Sequence, residues 1–182
     1  AEAVSEFRGE TVQSPAELKL ELPVDARLPL EYVDSERLRL EAYHRLSSES
    51  GAKATEKALD EILAELTDRF GKPPQPVRNL IAVTRLRQIA NRLGLADVNL
   101  LGIQAKLTGV ALEDAGLVAL SHYYPSAKYL KSASVLSITI PQNSGGEPIR
   151  DQEVIDWVEV LFERLAKVYG EASKSDSNST PT

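Results

Sequence analysis

The sequence predicts an α+β fold, and three observations carry that prediction. Apolar residues recur with a period near 3.6 from about residue 35 to residue 93. The period then changes to 2 through residues 98–140, and returns to 3.6 over residues 151–168. A run of helices followed by a run of strands is the α+β pattern. It resolves here into an N-terminal strand and a three-helix segment, then a small, mostly antiparallel sheet with a short helix and a long C-terminal helix.

Residues 1–16 are mixed and polar, contain Gly9 and Pro15, and read as a linker. Residues 17–22 alternate Leu18, Leu20 and Leu22 with charged residues, the pattern of a half-buried strand. Pro23 and Pro29 bracket an extended segment. Asp34 is the expected N-cap of a helix over residues 35–48, with Leu38, Ala42, Tyr43 and Leu46 facing inward.

Residues 55–95 organise the chain. Leu59, Ile62, Leu63, Leu66 and Phe70 define one face of a helix that Thr55 can cap and Gly71 can end. Pro73, Pro74 and Pro76 forbid continuation, and Pro76 suits the first turn of a second helix. That helix is expected to bury Leu80, Val83, Leu86, Ala90 and Leu93 and to stop at Gly94.

Short strands follow at residues 98–101 and 103–108. A helix over residues 113–124 stops at Pro125, and residues 128–131 and 135–140 form a hairpin. Residues 142–148 read as an exposed loop. Asp151 opens the last helix, with Val154, Trp157, Val158, Leu161, Leu165 and Val168 on one stripe and Gly170 as its stop. Residues 171–182 have little to bury and read as a disordered tail. The folded domain is therefore expected over residues 17–170.

Composition narrows the function. The 182 residues are 42% hydrophobic and 26% charged, ordinary for a globular domain with a real core. A net charge of -6 and a pI near 5.1 argue against long-range attraction to nucleic acid or anionic membrane. There is no cysteine, hence no disulfide, thiolate nucleophile or cysteine metal site. No secretory h-region or span-length apolar run is present, so the expected compartment is the cytoplasm. The first residue is Ala rather than Met, which reads as a fragment of a longer protein.

Catalytic signatures are missing. No phosphate loop and no G-x-S-x-G elbow occurs, and Gly145–Gly146 lacks a following lysine and helix. His44 and His122 are isolated from each other, a poor metal pair. Asp60, Glu61 and Glu65 could hold a cation, although carboxylates on a helix surface usually face water. Asn178-Ser179-Thr180 is a chance sequon without a secretion signal. No cofactor is expected in this chain.

Two charged stripes stand out on the helical hairpin. Glu61, Glu65 and Asp68 fall on one face of the first helix, opposite Leu59 and Phe70. Arg78, Arg85 and Arg92 recur every seven residues on the second. The acidic stripe runs into the C-terminal turn, where the helix dipole disfavours an anion by roughly 0.3–1 kcal/mol. Local stability would not select these residues, so an outside cation is expected to face them. On the same argument, charge reversal at Glu65 or Asp68 should spare the fold. The basic stripe supports an alternative reading, a nucleic-acid-binding accessory domain, but it lacks interleaved exposed aromatics.

Residues 18–98 also carry a family likeness. The stretches LKLELPVDARLP, EYVDSERLRLEAYHRL and ELTDRFGKPPQPVRNLIAVTRLRQIANRLG resemble the C-terminal domain of bacterial transcription-repair coupling factors, the Mfd family. The E-L-x-D-R-F-G-x-x-P stretch at residues 65–74, followed by Arg85–Arg87, is the most specific part. From residue 100 to residue 169 the likeness is in the order of elements more than in residues.

The resemblance implies a regulatory, non-catalytic domain in a monomeric cytoplasmic protein, with residues 1–16 linking it to a preceding motor module. Members of the family are ATP-driven DNA translocases that displace stalled RNA polymerase and recruit UvrA for excision repair. Polymerase, DNA and UvrA are engaged by other domains, and ATP and Mg bind the motor, whose motifs this chain lacks. The C-terminal domain is implied to be autoinhibitory, masking the N-terminal UvrA-binding module. Glu65 and Asp68, with Glu61 beside them, are implied to pair with arginines of that module.

Overall fold

The computed structural model describes residues 17–176. In chain order these form β1 (Lys19–Glu21), α1 (Glu36–Ser48), α2 (Glu56–Phe70), α3 (Gln75–Arg92), β2 (Asp97–Leu101), β3 (Gln104–Thr108), α4 (Asp114–Tyr123), β4 (Lys128–Leu130), β5 (Val135–Thr139) and α5 (Asp151–Asp176). The α+β expectation holds. The five strands make one mixed sheet in the order β1-β2-β3-β5-β4. Three pairings are antiparallel, and β1 pairs parallel to β2 because three helices intervene and return the chain in the same direction.

Register explains the sheet's two faces. Leu20, Val98, Leu107, Leu136 and Tyr129 sit side by side across all five strands. Four of them are buried and Tyr129 half-buried, so this row is the floor of a core roofed by α3, α4 and α5. The neighbouring row, Glu21, Asn99, Lys106, Ser137 and Lys128, points the other way and is polar. A second core lies within the helical hairpin, where Ala42 and Leu46 of α1 meet Leu59, Ile62 and Leu66 of α2 and Val77 and Ile81 of α3.

The helix α3 belongs to both cores. Its first half supplies Val77 and Ile81 to the hairpin, and its second half supplies Leu86 and Ala90 to the sheet core. Leu80, Val83 and Leu93, read from the sequence as its buried face, are only half-buried. Asn79, Thr84 and Gln88 are buried instead. The helix is surrounded on most sides, so a single apolar stripe does not describe it.

The ends follow local rules, with three differences from the sequence reading. Thr55 caps α2 through Ala58 N as expected, and Gly71 leaves it at φ 86°. At the end of α3, Leu95 N donates to Ala90 O and Gly94 N to Asn91 O, with Gly94 at φ 74°, a paired hydrogen-bond stop that requires a left-handed residue. Ser35, not Asp34, caps α1, because its hydroxyl is the group in reach of Leu38 N. Tyr43 is not an inward residue. Its ring is exposed, and its hydroxyl accepts from Leu28 N at 2.7 Å.

The third difference is at the C-terminus, where α5 runs through Gly170 to Asp176. A glycine inside a helix costs about 1 kcal/mol relative to alanine but does not by itself end it. Residues 171–176 of the expected tail are therefore helical. The rest of the tail and the linker over residues 1–16 lie outside the described residues.

At Gly116 the two helices α4 and α5 approach closely, because a Cβ there would stand 2.6 Å from Val168 Cγ1. The valine is short and β-branched and cannot swing away. Gly116→Val should therefore force α4 off α5 at a cost of about 1–3 kcal/mol. Chemical denaturation checks this, and an unchanged midpoint would refute the close fit.

Candidate functional site

The sequence places its candidate residues on α2, and the structure separates their roles. Glu61, Glu65 and Asp68 do share a face. Glu61 stands 3.9 Å from Lys57, one turn back, and both are mostly exposed. Asp60, beside the stripe, lies 3.3 Å from Arg85 of α3. Glu65 is tied to another helix, since Arg45 Nη1 of α1 donates to its Oε2. Arg69 stands 3.5 Å from its other oxygen, Oε1. The hydrogen bond from Arg45 and its charge, reinforced by Arg69, hold the Glu65 carboxyl below its ordinary pKa. Asp68 is exposed, and among the described residues it has no ion-pair partner.

The expectation that Glu65 is a free, outward anion is thus corrected. It is the link between α1 and α2, and the dipole penalty at its position is offset by two guanidinium groups. Sequence reasoning missed Arg45 because it lies twenty residues away, on the exposed side of α1. The same geometry weighs against the expectation that reversal at Glu65 spares the fold, since an arginine there would stand against Arg45 and Arg69.

The end of α2 is held by a residue that the sequence did not single out. Tyr32 Oη lies 3.0 Å from Leu66 O and 2.8 Å from Gly71 O, within donating reach of both. Its ring meets Phe70 edge-on at 5.8 Å. The backbone under Asp68 is therefore fixed while its side chain remains in water. Arg69 lies over the Phe70 ring, 5.2 Å from the centroid.

The basic stripe does not act as one surface. Arg78 is exposed, Arg85 is drawn to Asp60, and Arg92 donates to Ala54 O at 3.0 Å. Two of the three guanidinium groups are committed within the domain. Nor do Asp60, Glu61 and Glu65 converge on a cation, since each faces a different basic side chain. Among the described residues no group of three or more His, Asp or Glu is arranged to hold a metal, and no helix is long and apolar enough to cross a membrane. A wider groove lies between α4 and α5, lined by Ala119, Tyr123, Val160 and Lys167. There Arg164 is stacked on Tyr123, 4.2 Å from its centroid.

With this geometry in hand, the chain can be compared with known proteins. The profile of the TRCF domain family matches residues 22–113. The transcription-repair-coupling factor of Mycobacterium tuberculosis is 38% identical over 159 residues, 86% of this chain and 13% of that protein. The Escherichia coli factor is 43% identical over 77 residues, 42% of this chain and 6% of that protein. A crystal structure of the C-terminal domain of transcription-repair coupling factor superposes with a TM-score of 0.64, covering 84% of this chain and 92% of that one at 17% identity. The fold is thus that of a transcription-repair coupling factor C-terminal domain. The chain belongs to the transcription-repair coupling factor family and spans 13% of the length of the mycobacterial relative.

The ion-pair pattern separates Glu65 from Asp68 experimentally. Because the folded-state pKa of Glu65 is depressed, its ionised form stabilises the fold at neutral pH, and that contribution is lost as pH falls through the lowered value. Glu65→Gln should lower the thermal midpoint at pH 7, with the gap to wild type closing as the pH falls through the carboxylate range. Asp68→Asn, which removes an anion from the negative end of α2, should not lower the midpoint at pH 7. Equal effects of the two substitutions at pH 7 would contradict the assignment.

Proposed function

We propose that this chain is the regulatory, non-catalytic C-terminal domain of a cytoplasmic transcription-repair coupling factor. In this reading the α2 end docks on the UvrA-binding module of the same polypeptide and masks the surface that recruits UvrA. RNA polymerase, DNA and ATP are handled by other parts of that polypeptide. Family membership supports the setting, and one observation carries the docking surface. Asp68 is an exposed carboxylate with no ion-pair partner among the described residues, in the last turn of α2, where the helix dipole disfavours it, on a segment whose backbone Tyr32 holds fixed. A guanidinium from a partner would offset that local cost. Glu61 and Glu65 extend the same face toward the middle of the helix.

The nucleic-acid reading loses its footing with the dispersal of Arg78, Arg85 and Arg92.

Asp68→Arg in the full-length protein tests masking without disturbing the α1–α2 link. Reversal turns one attraction into a repulsion, and about 1.4 kcal/mol of such change is tenfold in the closed population. UvrA association without ATP or DNA should rise by about that factor. Unchanged UvrA affinity, with an unchanged melting temperature, would dismiss the docking surface.

A further inference from the structure

The helix α4 is too apolar for the place it occupies. After Asp114 it carries no acidic residue, lysine or arginine through Tyr123. A helix that is apolar on all sides belongs in a core, yet only Leu120 of α4 is buried. Val118 is 62% exposed and Tyr123 59%. Across the groove, α5 presents Val160, 39% exposed, on a stripe that continues through Arg164 and Lys167. The two helices touch at Gly116 and Val168 and run antiparallel from there to Tyr123 and Arg164. A groove between two such helices can seat a third.

One basic group in this groove is held ready for an acceptor. The Arg164 guanidinium lies 4.2 Å from the Tyr123 ring centroid and 5.3 Å from that of Tyr124. Stacking on the rings holds its plane and leaves its N–H groups to form bonds at the edge. Among the described residues neither Arg164 nor Lys167 has an ion-pair partner, although Glu163 is adjacent to one and a turn from the other. Tyr124 is 7% exposed, and its hydroxyl is buried with no hydrogen-bond partner among the described residues. A chain of net charge -6 thus leaves two cations unmatched beside an apolar helix.

We propose that the α4–α5 groove is a docking surface for an acidic amphipathic helix from another part of the same polypeptide. Apolar side chains of that helix cover Ala119, Tyr123 and Val160, and one of its carboxylates takes two parallel N–H bonds from Arg164. Lys167 is a second, less directed cation. Area selects a tethered occupant. Val118, Tyr123 and Val160 are the large apolar side chains exposed on this face, far short of the roughly 1,200–2,000 Å² that stable interfaces between separate proteins bury. A segment of the same polypeptide needs less, because tethering holds it at a local concentration on the order of millimolar. This chain spans 13% of its mycobacterial relative, so a protein of that length has ample chain to supply the helix. The surface is separate from the end of α2 and does not depend on docking there, since α2 packs on α3, α3 on α5 and α5 on α4.

Hydroxyl-radical footprinting at Tyr123, without ATP or DNA, tests this in the full-length protein and in this chain alone. Tyr123 should be oxidised at least about threefold more slowly in the full-length protein. Arg164→Glu and Val160→Asp should each abolish that protection. Glu163→Gln removes a like charge from beside the incoming carboxylate and should increase it, and Asp68→Arg should leave it unchanged. Each variant is compared with the same variant of this chain alone, because Arg164→Glu also uncovers the Tyr123 ring. Melting temperatures report whether the fold survives, and Val160→Asp keeps the test decisive if Arg164→Glu does not fold. Equal oxidation of wild-type Tyr123 in the two settings would overturn the docking surface. So would protection that survives both Arg164→Glu and Val160→Asp. Protection lost in Asp68→Arg would make the cover a by-product of the α2 end and overturn the separate surface. Protection in this chain alone that grows with its concentration would identify a second copy as the occupant and overturn the tethered helix.

Discussion

The rest of the structure depends on α3 being enclosed. Most surface helices bury one stripe and leave a wet face that tolerates drift. Here one half of α3 closes the hairpin core and the other half closes the sheet core, so its position sets the relation between them. Its polar side chains add to the constraint rather than escaping to solvent. Gln88 Nε2 donates to Glu49 O and Thr55 O, Asn91 Nδ2 to Ser50 O, and Arg92 to Ala54 O. The loop between α1 and α2 is thereby fastened at both ends by three residues of one helical segment. On the other side Arg87 donates to Leu18 O at 3.2 Å and approaches Leu20 O, covering carbonyls on the edge of β1 that no described strand pairs. An edge strand with unpaired carbonyls is a template for association, and a guanidinium laid along it blunts that tendency.

The same enclosure decides what could be read from the sequence. Elements that obey a single periodicity were legible: α2 with its five apolar positions, the alternation in β3 and β5, and the long stripe of α5. So were stops that have a local mechanism, such as Gly71 and Gly94. The helix α3 was legible as a helix but not in its burial, because a residue such as Gln88 looks like surface in a one-dimensional pattern. Only the carbonyls of residues 49 and 55 make its burial tolerable, and they are more than thirty positions away. Gly170 misled for a related reason. A glycine ends a helix when the chain must turn there, and the sequence does not show whether it must.

The site divides along the same line. The acidic stripe itself follows from spacing on one helix and was legible. The dipole argument singled out Glu65 and Asp68 together, since both lie near the negative end of α2. What separates them is tertiary. The packing of α1 against α2 delivers Arg45 to Glu65, while nothing among the described residues reaches Asp68. An anomaly in local energetics is thus resolved internally at one position and left standing at the next. The unresolved one is the better indicator of an outside partner, because a carboxylate already offset within the domain has no cost left for a partner to remove.

An exposed contact of this kind suits a surface that must let go. Buried charge pairs are costly to separate, since each partner is left desolvated when the other leaves. Carboxylates that stay in water in both states incur little desolvation, so each pair contributes roughly 0–1 kcal/mol and is sensitive to salt. A mask built from two or three such pairs holds its closed state by only a few kcal/mol, an amount that mechanical or binding energy elsewhere in a large protein can reverse. On the proposed function, opening would have to expose the partner without unfolding the domain, which calls for a docking face on a rigid base. Tyr32 at the end of α2, Arg45 across from α1, and α3 beneath them supply that base. The rigidity lies in the fold and the reversibility in the solvated side chains, and α2 carries both within about four turns of helix.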